Sequence, residues 1–508
     1  MSDVIIGENL TIEKVIQVCR YNLNVKLSDE AKNKISECRK YIDNNCENDK
    51  LLYGINTGVG NLCNVKIEKN ERNKLQKNLI LSHAVGTGEK FSDEIIKATL
   101  LILVNSLSKG YSGVRLQIVE TLIKMINLNI IPVVPQKGSL GASGDLVPLA
   151  HMILPLIGYG KVSYKGKIYS SKYVMKKNKI QLIELQEKEG LSLINGTHIM
   201  TAIGVFLVYD SCKLSKVADI SSALSFEALH GIADNLDLNV HKLRPQIGQY
   251  ETAQNLLRLL KNSKNTIYPS QNKVQDAYSI RCIPQVHGAT KDAINYVKNI
   301  VNIELNPITD NPIIFLKENK VISTGNFHGQ PLAIAYDFLA IALSELCNIS
   351  ERRIERLVNS KLSGLPSFLI NNGGTNSGFM ITQYVAAALV SENKVLSHPA
   401  SVDSIPSSEN QEDHVSMGTI SARKCLEIIN NLSRILSIEL LCASQAIDMV
   451  ANDKLGNGTY EAYSVIRENV SYCENDRLLY GDINKIETFV ENGELVNRVE
   501  KCIGKLHF

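Results

Sequence analysis

Residues 138–151 read Gly138-Ser139-Leu140-Gly141-Ala142-Ser143-Gly144-Asp145-Leu146-Val147-Pro148-Leu149-Ala150-His151. At their centre, Ala142-Ser143-Gly144 holds the parts of a self-made electrophile. In a tight enough turn the Gly144 amide nitrogen attacks the Ala142 carbonyl carbon, and loss of water closes a five-membered ring. Loss of a second water from the Ser143 side chain leaves an exocyclic methylidene. Alanine is small, serine supplies the leaving hydroxyl, and glycine lacks the Cβ that blocks close backbone approach. The bland reading of the same residues is a Gly-rich turn entering a helix, with Asp145 as N-cap and Pro148 in the first turn.

The rest of the composition bounds what surrounds this turn. The chain has 508 residues, 44% of them hydrophobic and 21% charged, enough for a large core. Its 55 basic and 52 acidic residues leave a net charge of +3, which gives no basis for a nucleic-acid or membrane partner. No run of 18 apolar residues occurs, so no transmembrane helix is expected. The start, Met1-Ser2-Asp3-Val4, lacks the basic-then-apolar pattern of a signal peptide. Eleven scattered cysteines without a C-x-x-C pair fit free thiols in a reducing cytoplasm. The ten histidines show no metal-ligand spacing, and no metal is expected.

Helical signals dominate. Ser28-Asp29-Glu30 predicts a capped helix running to about Asn45. Ser92-Asp93-Glu94 opens another, and Gly113 to about Asn129 reads as a third. Three longer stretches follow, about Gly196–His230, Gln330–Ser360 and Ser416–Asn452, each roughly 45–55 Å as a helix. Runs such as Phe338-Leu339-Ala340-Ile341-Ala342-Leu343 are apolar on more than one face and predict burial all round, in a bundle extended across subunits. Strand signals are few: 162–164 with 167–169, and 313–316 with 321–324, read as hairpins. The expectation is a mainly α fold, with an N-terminal part (1–195) carrying the turn and a long-helix bundle (196–508).

Further polar strings stand near these helices. They are Tyr53-Gly54-Ile55-Asn56-Thr57-Gly58, Ser82-His83-Ala84, Leu193-Ile194-Asn195-Gly196-Thr197, Val274-Gln275-Asp276-Ala277-Tyr278-Ser279-Ile280-Arg281, Asn326-Phe327-His328-Gly329 and Asn410-Gln411-Glu412-Asp413-His414. Singly, each reads as a turn, a cap or a solvated loop. If helical, the fourth brings Gln275, Tyr278 and Arg281 to one side, and an arginine in such a set suits a carboxylate through its two-pronged fork. Several strings precede long helices, and loops at one end of a bundle converge.

Together with Gly138–Leu146, and in this order from about residue 50 to 450, the strings resemble the aromatic amino acid ammonia-lyases, and specifically their histidine-acting branch. The resemblance implies a fumarase/aspartase-like fold, a homotetramer with active sites shared between subunits, and a 4-methylidene-imidazol-5-one (MIO) group formed autocatalytically from Ala142-Ser143-Gly144. It implies elimination of ammonia from L-histidine to give trans-urocanate, in the cytoplasm, without metal or external cofactor. Such a group makes the reaction accessible either by capturing the amino group or by accepting attack from the imidazole ring. Tyr53 is then the candidate base, which requires a phenol acidified by neighbouring charge, and Glu412 is the alternative base. Asn195, Gln275, Tyr278 and Phe327 carry over as contacts to the prosthetic group or substrate, and Arg281 as the carboxylate clamp. His83 and Glu412 are the ring contacts that favour imidazole over phenyl. A tyrosine or phenylalanine lyase or an aminomutase with the same group is the near alternative. A fumarase-type lyase needs a Ser-rich base loop of the form S-S-x-M-P-x-K-x-N, which is missing, and a non-enzymatic scaffold would be expected to have lost Ser143 or Tyr53. The chain departs from the usual pattern at Val59 (commonly Phe), Ala277 (commonly Pro) and His287 (commonly Met).

Overall fold

Helix boundaries follow the side chains that cap them. The computed structural model describes residues 3–45, 51–271, 273–450 and 454–508, so Met1 and Ser2 of the chain start lie outside it. The Ser28 hydroxyl accepts from the Ala31 amide at 3.2 Å and opens the helix Asp29–Asn45. The Ser92 hydroxyl does the same for Ile95 at the start of Asp93–Leu107. The helix expected from Gly113 begins later, at Leu116, because Gly113 is left-handed (φ +73°) and Arg115 is extended. Both expected hairpins form: Lys161–Tyr164 pairs antiparallel with Lys167–Ser170, and Ile313–Phe315 with Lys320–Ile322. Lys165 and Gly166 both take positive φ in the first, the twist that a two-residue hairpin loop needs.

About 59% of the chain is helical, and the three long stretches are continuous helices: His198–Ala228 (31 residues), Gln330–Val358 (29) and Gly418–Met449 (32). At 1.5 Å per residue they span about 44–48 Å. Asn452, the expected end of the third, lies outside the described residues. A fourth, Ile283–Glu304 (22 residues), is not anticipated by the periodicity. Its core-facing side carries His287, Thr290 and Lys291 beside Ile294, Val297 and Val301, so the apolar stripe is interrupted. Its mid-helix Gly288 is needed for close approach, because a Cβ there would lie 2.2 Å from the Gln249 amide of the helix Ile247–Leu259.

Burial all round holds for His198–Ala228 but not for Gln330–Val358. On the latter, Phe338 and Ile341 stay 44% and 47% exposed while Tyr336, Ala340 and Leu343 are buried. The same helix is long and apolar enough by length and composition to cross a membrane, yet 67% of its most apolar window is buried within the chain, as in a core helix.

Contacts divide the chain into two units, neither continuous in sequence. One comprises residues 1–206, 298–336 and 399–423, and the other 207–297, 337–398 and 424–508. The first therefore takes in three stretches, 196–206, 298–336 and 399–423, that the division at 195/196 assigns to the bundle. It also holds all nine strands among the described residues. The second is helical. At its centre, five buried residues from four helices form two linked ion pairs. Lys291 and His287 bond the Asp219 carboxylate at 2.6 and 2.8 Å, and Arg353 grips Glu439 with two N–H groups. Burial pushes both carboxyls up, but the facing cations and hydroxyls outweigh it, so Asp219 and Glu439 sit below the usual carboxylate range. None of the ten cysteines among the described residues is in a disulfide, and Cys46 lies outside them.

Candidate active site

The turn is built on left-handed backbone. Gly138, Gly141, Ser143, Gly144 and Leu146 all have positive φ, and the Gly144 amide closes the turn on the Gly141 carbonyl at 3.3 Å. Two of these residues are not glycine, and each costs about 1 kcal/mol or more that the surroundings must offset. The surroundings are the starts of long helices. The Gly196 amide donates to the Ser143 carbonyl, and the Asp145 amide to the Gly196 carbonyl. A Cβ on Gly144 would lie 2.2 Å from the Gly196 oxygen and 3.0 Å from the Phe327 oxygen, so only glycine fits. On the other side the Met417 amide donates to the Leu140 carbonyl, and Ala142 packs on Val415 and Met417.

Asp145 fastens this arrangement, in a way the sequence misassigns. It does not cap the helix Val147–Ile153 that follows it. Its carboxylate accepts from the Ile199 amide (2.7 Å) and the Thr419 hydroxyl (3.2 Å), so it caps the first long helix and ties it to the start of the third. Burial pushes this carboxyl up to about 7, against the pull of those donors and the Met200 amide.

Glu412 comes to the turn from a hairpin. Ser143 Oγ donates to its Oε1 at 3.5 Å, and Ser407 Oγ to its Oε2 at 3.1 Å. Tyr53 and His83 both feel its charge. Burial pushes the His83 imidazole down, with the Leu79 carbonyl and Glu412 pulling it back up, and its Nδ1 lies 3.1 Å from the Ser82 hydroxyl.

The Tyr53 loop folds on its own polar residues. Asn56 accepts from the Leu52 amide and Thr57 from the Gly54 amide. The Tyr53 oxygen accepts from the Gly60 amide at 3.0 Å. Val59, one of the departures, is extended at the loop's end. Among the described residues of one chain the Tyr53 phenol has no neighbouring cation to acidify it. Burial pushes it up, the Gly60 amide only partly offsets this, and the Glu412 charge adds to the rise.

Asn195 is buried, with its side-chain amide donating to the Asn311 carbonyl at 2.8 Å, and Phe327 stands beside Gly144 through its carbonyl. The first unit thus brings together Ala142, Ser143, Gly144, Tyr53, His83, Asn195, Phe327 and Glu412.

Gln275, Tyr278 and Arg281 belong to the second unit. There they form a cluster without a long helix: only Tyr278–Arg281 makes a turn. Arg281 donates to Gln275 at 2.5 Å and lies over the Tyr278 ring at 4.6 Å. Asp276, a residue the sequence leaves without a role, holds the segment by accepting from the Ile232 amide and the Asn235 side chain, which leaves Tyr278 71% exposed. Ala277 has φ −63°, the angle a proline would impose, so that departure leaves the backbone as it is. Among the described residues no three His, Cys, Asp or Glu side chains group as a metal site.

Comparison with known proteins agrees over the whole length. Residues 10–468 match the aromatic amino acid lyase family. A histidine ammonia-lyase of Alkaliphilus oremlandii (strain OhILAs) is 55% identical over 497 residues, 98% of each chain. The crystal structure of histidine ammonia-lyase from Trypanosoma cruzi superposes with a TM-score of 0.91 at 41% identity, covering 99% of this chain and 96% of that one. The tyrosine aminomutase from Streptomyces globisporus superposes at 0.95 with 35% identity, covering 99% and 100%.

Proposed function

The chain belongs to the aromatic amino acid lyase family, and we propose that it eliminates ammonia from L-histidine to give trans-urocanate. The observation that carries the substrate choice is the Glu412 carboxylate beside Ser143. An imidazole N–H gives this acceptor a partner, whereas a phenyl ring leaves Oε1 without a donor once the Ser143 hydroxyl is lost, at a cost of about 1–3 kcal/mol. His83, kept neutral by burial, meets the other end of the ring. The tyrosine aminomutase likeness keeps an aromatic aminomutase or lyase as the second reading.

The residues at 142–144 fit an MIO group: Gly144 has room for no Cβ, Ser143 carries the hydroxyl to be lost, and the turn is held from both sides. When present, that group supplies the electrophile that activates the substrate amino acid. Around it Tyr53 is the candidate proton acceptor at the reacting centre and Glu412 the alternative, with Glu412 Oε1 facing the turn. Asn195 and Phe327 shape the wall, and Arg281 holds the substrate carboxylate.

Arg281 and Tyr278 reach a turn in this proposal by oligomerisation. Apolar side chains left exposed, Phe338 and Ile341 with Ile381, Tyr384 and Val385, call for a partner surface. A homotetramer in the cytoplasm whose active sites are shared between subunits supplies it. Arg281→Lys loses the fork, so kcat/KM should fall roughly ten- to a hundredfold.

The deciding experiment offers the purified protein L-His, L-Phe and L-Tyr and follows the unsaturated acid by absorbance. L-His should lead by at least about 10³ in kcat/KM. Glu412→Gln should cut histidine turnover sharply and narrow that gap. Comparable wild-type values for L-His and L-Tyr would move the assignment to a general aromatic lyase.

A further inference from the structure

Resting on that reading, we propose that Ser407 is a positioning residue for the reaction: it makes the two oxygens of Glu412 unequal, tying down Oε2 so that Oε1 alone serves the turn. The main chain first sets the pair. Ser407 and Glu412 exchange backbone hydrogen bonds, the Ser407 amide to the Glu412 carbonyl at 2.9 Å and the Glu412 amide to the Ser407 carbonyl at 3.2 Å. Between them Ser408, Glu409 and Asn410 are all left-handed, at φ +51°, +54° and +66°. Three consecutive non-glycine residues in that region persist only where the surroundings over-determine them. The surroundings are an outer rung, Val415 amide to Ser404 Oγ at 3.0 Å, and the Met417–Leu140 bond that joins this segment to the turn.

The frame brings the Glu412 backbone to the right place, but a carboxylate on three rotatable bonds still has freedom to lose. The Ser407 hydroxyl removes it. It donates to Oε2 at 3.1 Å, and Oε1 is left facing Ser143, 3.5 Å from the hydroxyl that leaves as water when the prosthetic group forms, so Oε1 is then the free oxygen on the side of the turn. A carboxylate has capacity for several donors, so this bond does not block the working oxygen. Ser407 touches neither Ser143 nor Tyr53 in the hydrogen-bond network, and its effect is transmitted through Glu412.

The test uses the full-length enzyme with Ser407→Ala, Ser407→Cys and Ser407→Thr, each alone and, for alanine, combined with Glu412→Gln. Ser407→Ala should lower kcat/KM for L-His by about tenfold, as expected for one lost hydrogen bond to a charged group. Ser407→Cys keeps the shape but is a poor donor, so it should behave like alanine, and Ser407→Thr should restore most of the rate. In the Glu412→Gln background Ser407→Ala should change the residual rate by less than about twofold, because the charged carboxylate that it orders for the reaction is gone. The intact mass should still show the loss of two waters in every variant. An unchanged rate in Ser407→Ala, a wild-type rate in Ser407→Cys, or the same fall in both backgrounds would overturn the proposal. If Ser407→Ala fails to fold, the cysteine and threonine variants decide alone. A wild-type protein that releases no urocanate from L-His would instead sink the functional reading on which this rests.

Discussion

His198 and His287 are both buried and both kept neutral, yet their neighbourhoods are built on opposite terms. His198 stands at the start of the first long helix, beside Gly196 and Thr309, and neither ring nitrogen has a hydrogen-bond partner among the described residues. His287 lies in the second unit with Nδ1 bonded to Asp219 at 2.8 Å and Nε2 facing Arg353 at 3.4 Å. The same contrast runs through their surroundings. Around His198 the chain takes left-handed conformations at Ser143, Gly144, Leu146 and Gly196, and burial pushes the Asp145 carboxyl up to about 7. Around His287 every backbone is helical, and each buried charge has an opposite charge within 3.0 Å. One region accepts strain to fix a reactive geometry, and the other fixes helix register with matched polar groups.

The sharpest way to break this comparison is Ser143→Ala. If the turn region exists for chemistry, the variant should keep its thermal midpoint and lose at least about 10³ in turnover, equivalent to about 4 kcal/mol of transition-state stabilisation. The wild-type mass should fall short of the sequence mass by two waters. An active enzyme of unmodified mass would remove the reason for the strain.

Arg353→Met tests the other side. It leaves Glu439 buried without its cation, so the loss of stability should be about 3–5 kcal/mol, seen as a large drop in unfolding midpoint. Adding Glu439→Met should recover much of that, since both charges then leave together. Turnover per folded enzyme should stay near wild type in either case. A midpoint that does not move would mean the ion pairs are not what holds the second unit.

What the sequence reveals divides along the same line. The turn is legible because its chemistry is written in one segment, a small alanine, a serine with a hydroxyl to lose and a glycine, and the capping serines at 28 and 92 announce their own helices in the same local way. The long helices are legible where the apolar pattern is unbroken. The helix Ile283–Glu304 is hidden because His287 and Lys291, which are buried, look like surface residues until Asp219 is placed against them. Asp145 reads as a local cap, since nothing in its own segment announces Ile199 and Thr419. The protonation of Tyr53 depends on burial and on Glu412, more than 350 residues away. Gln275, Tyr278 and Arg281 are recognisable as a polar set, but the role of Asp276 in holding them needs Ile232 and Asn235.

Acid should sharpen the difference between the two histidines. Burial pushes His198 down to about 4 from an ordinary 6.5. In that window the unfolded chain binds a proton that the folded chain refuses, so stability is full above about 6.5 and falls as pH drops toward 4, by about 3 kcal/mol from this group. His198→Leu should flatten that limb in a pH series of unfolding midpoints. His287 is also shifted down, by burial and Arg353 against the pull of Asp219, and His287→Met should flatten it further. Asp145, raised to about 7, moves the wild-type midpoint the opposite way over the same range, so the comparison is between variant and wild type: an acid limb left unchanged by His198→Leu and by His287→Met would refute both assignments.

The smallest effect is expected where the strained region meets solvent. Asn61 donates to the Glu409 carboxylate, which joins the end of the Tyr53 loop to the tip of the 407–412 hairpin. Both residues are exposed, so water replaces the bond readily when it is lost. Nearby, Gly60 donates its amide to Tyr53 and packs its Cα against Ser408, where a Cβ would come within 2.9 Å of the hydroxyl. These backbone contacts remain in Asn61→Ala. The variant should therefore change kcat/KM for L-His by less than about threefold, with no change in unfolding midpoint, as steady-state kinetics beside a thermal scan will show. A tenfold fall would mean that the loop is closed by one surface hydrogen bond rather than by its own fold, and that the strain around the turn is restrained from outside as well as from the helices beneath it.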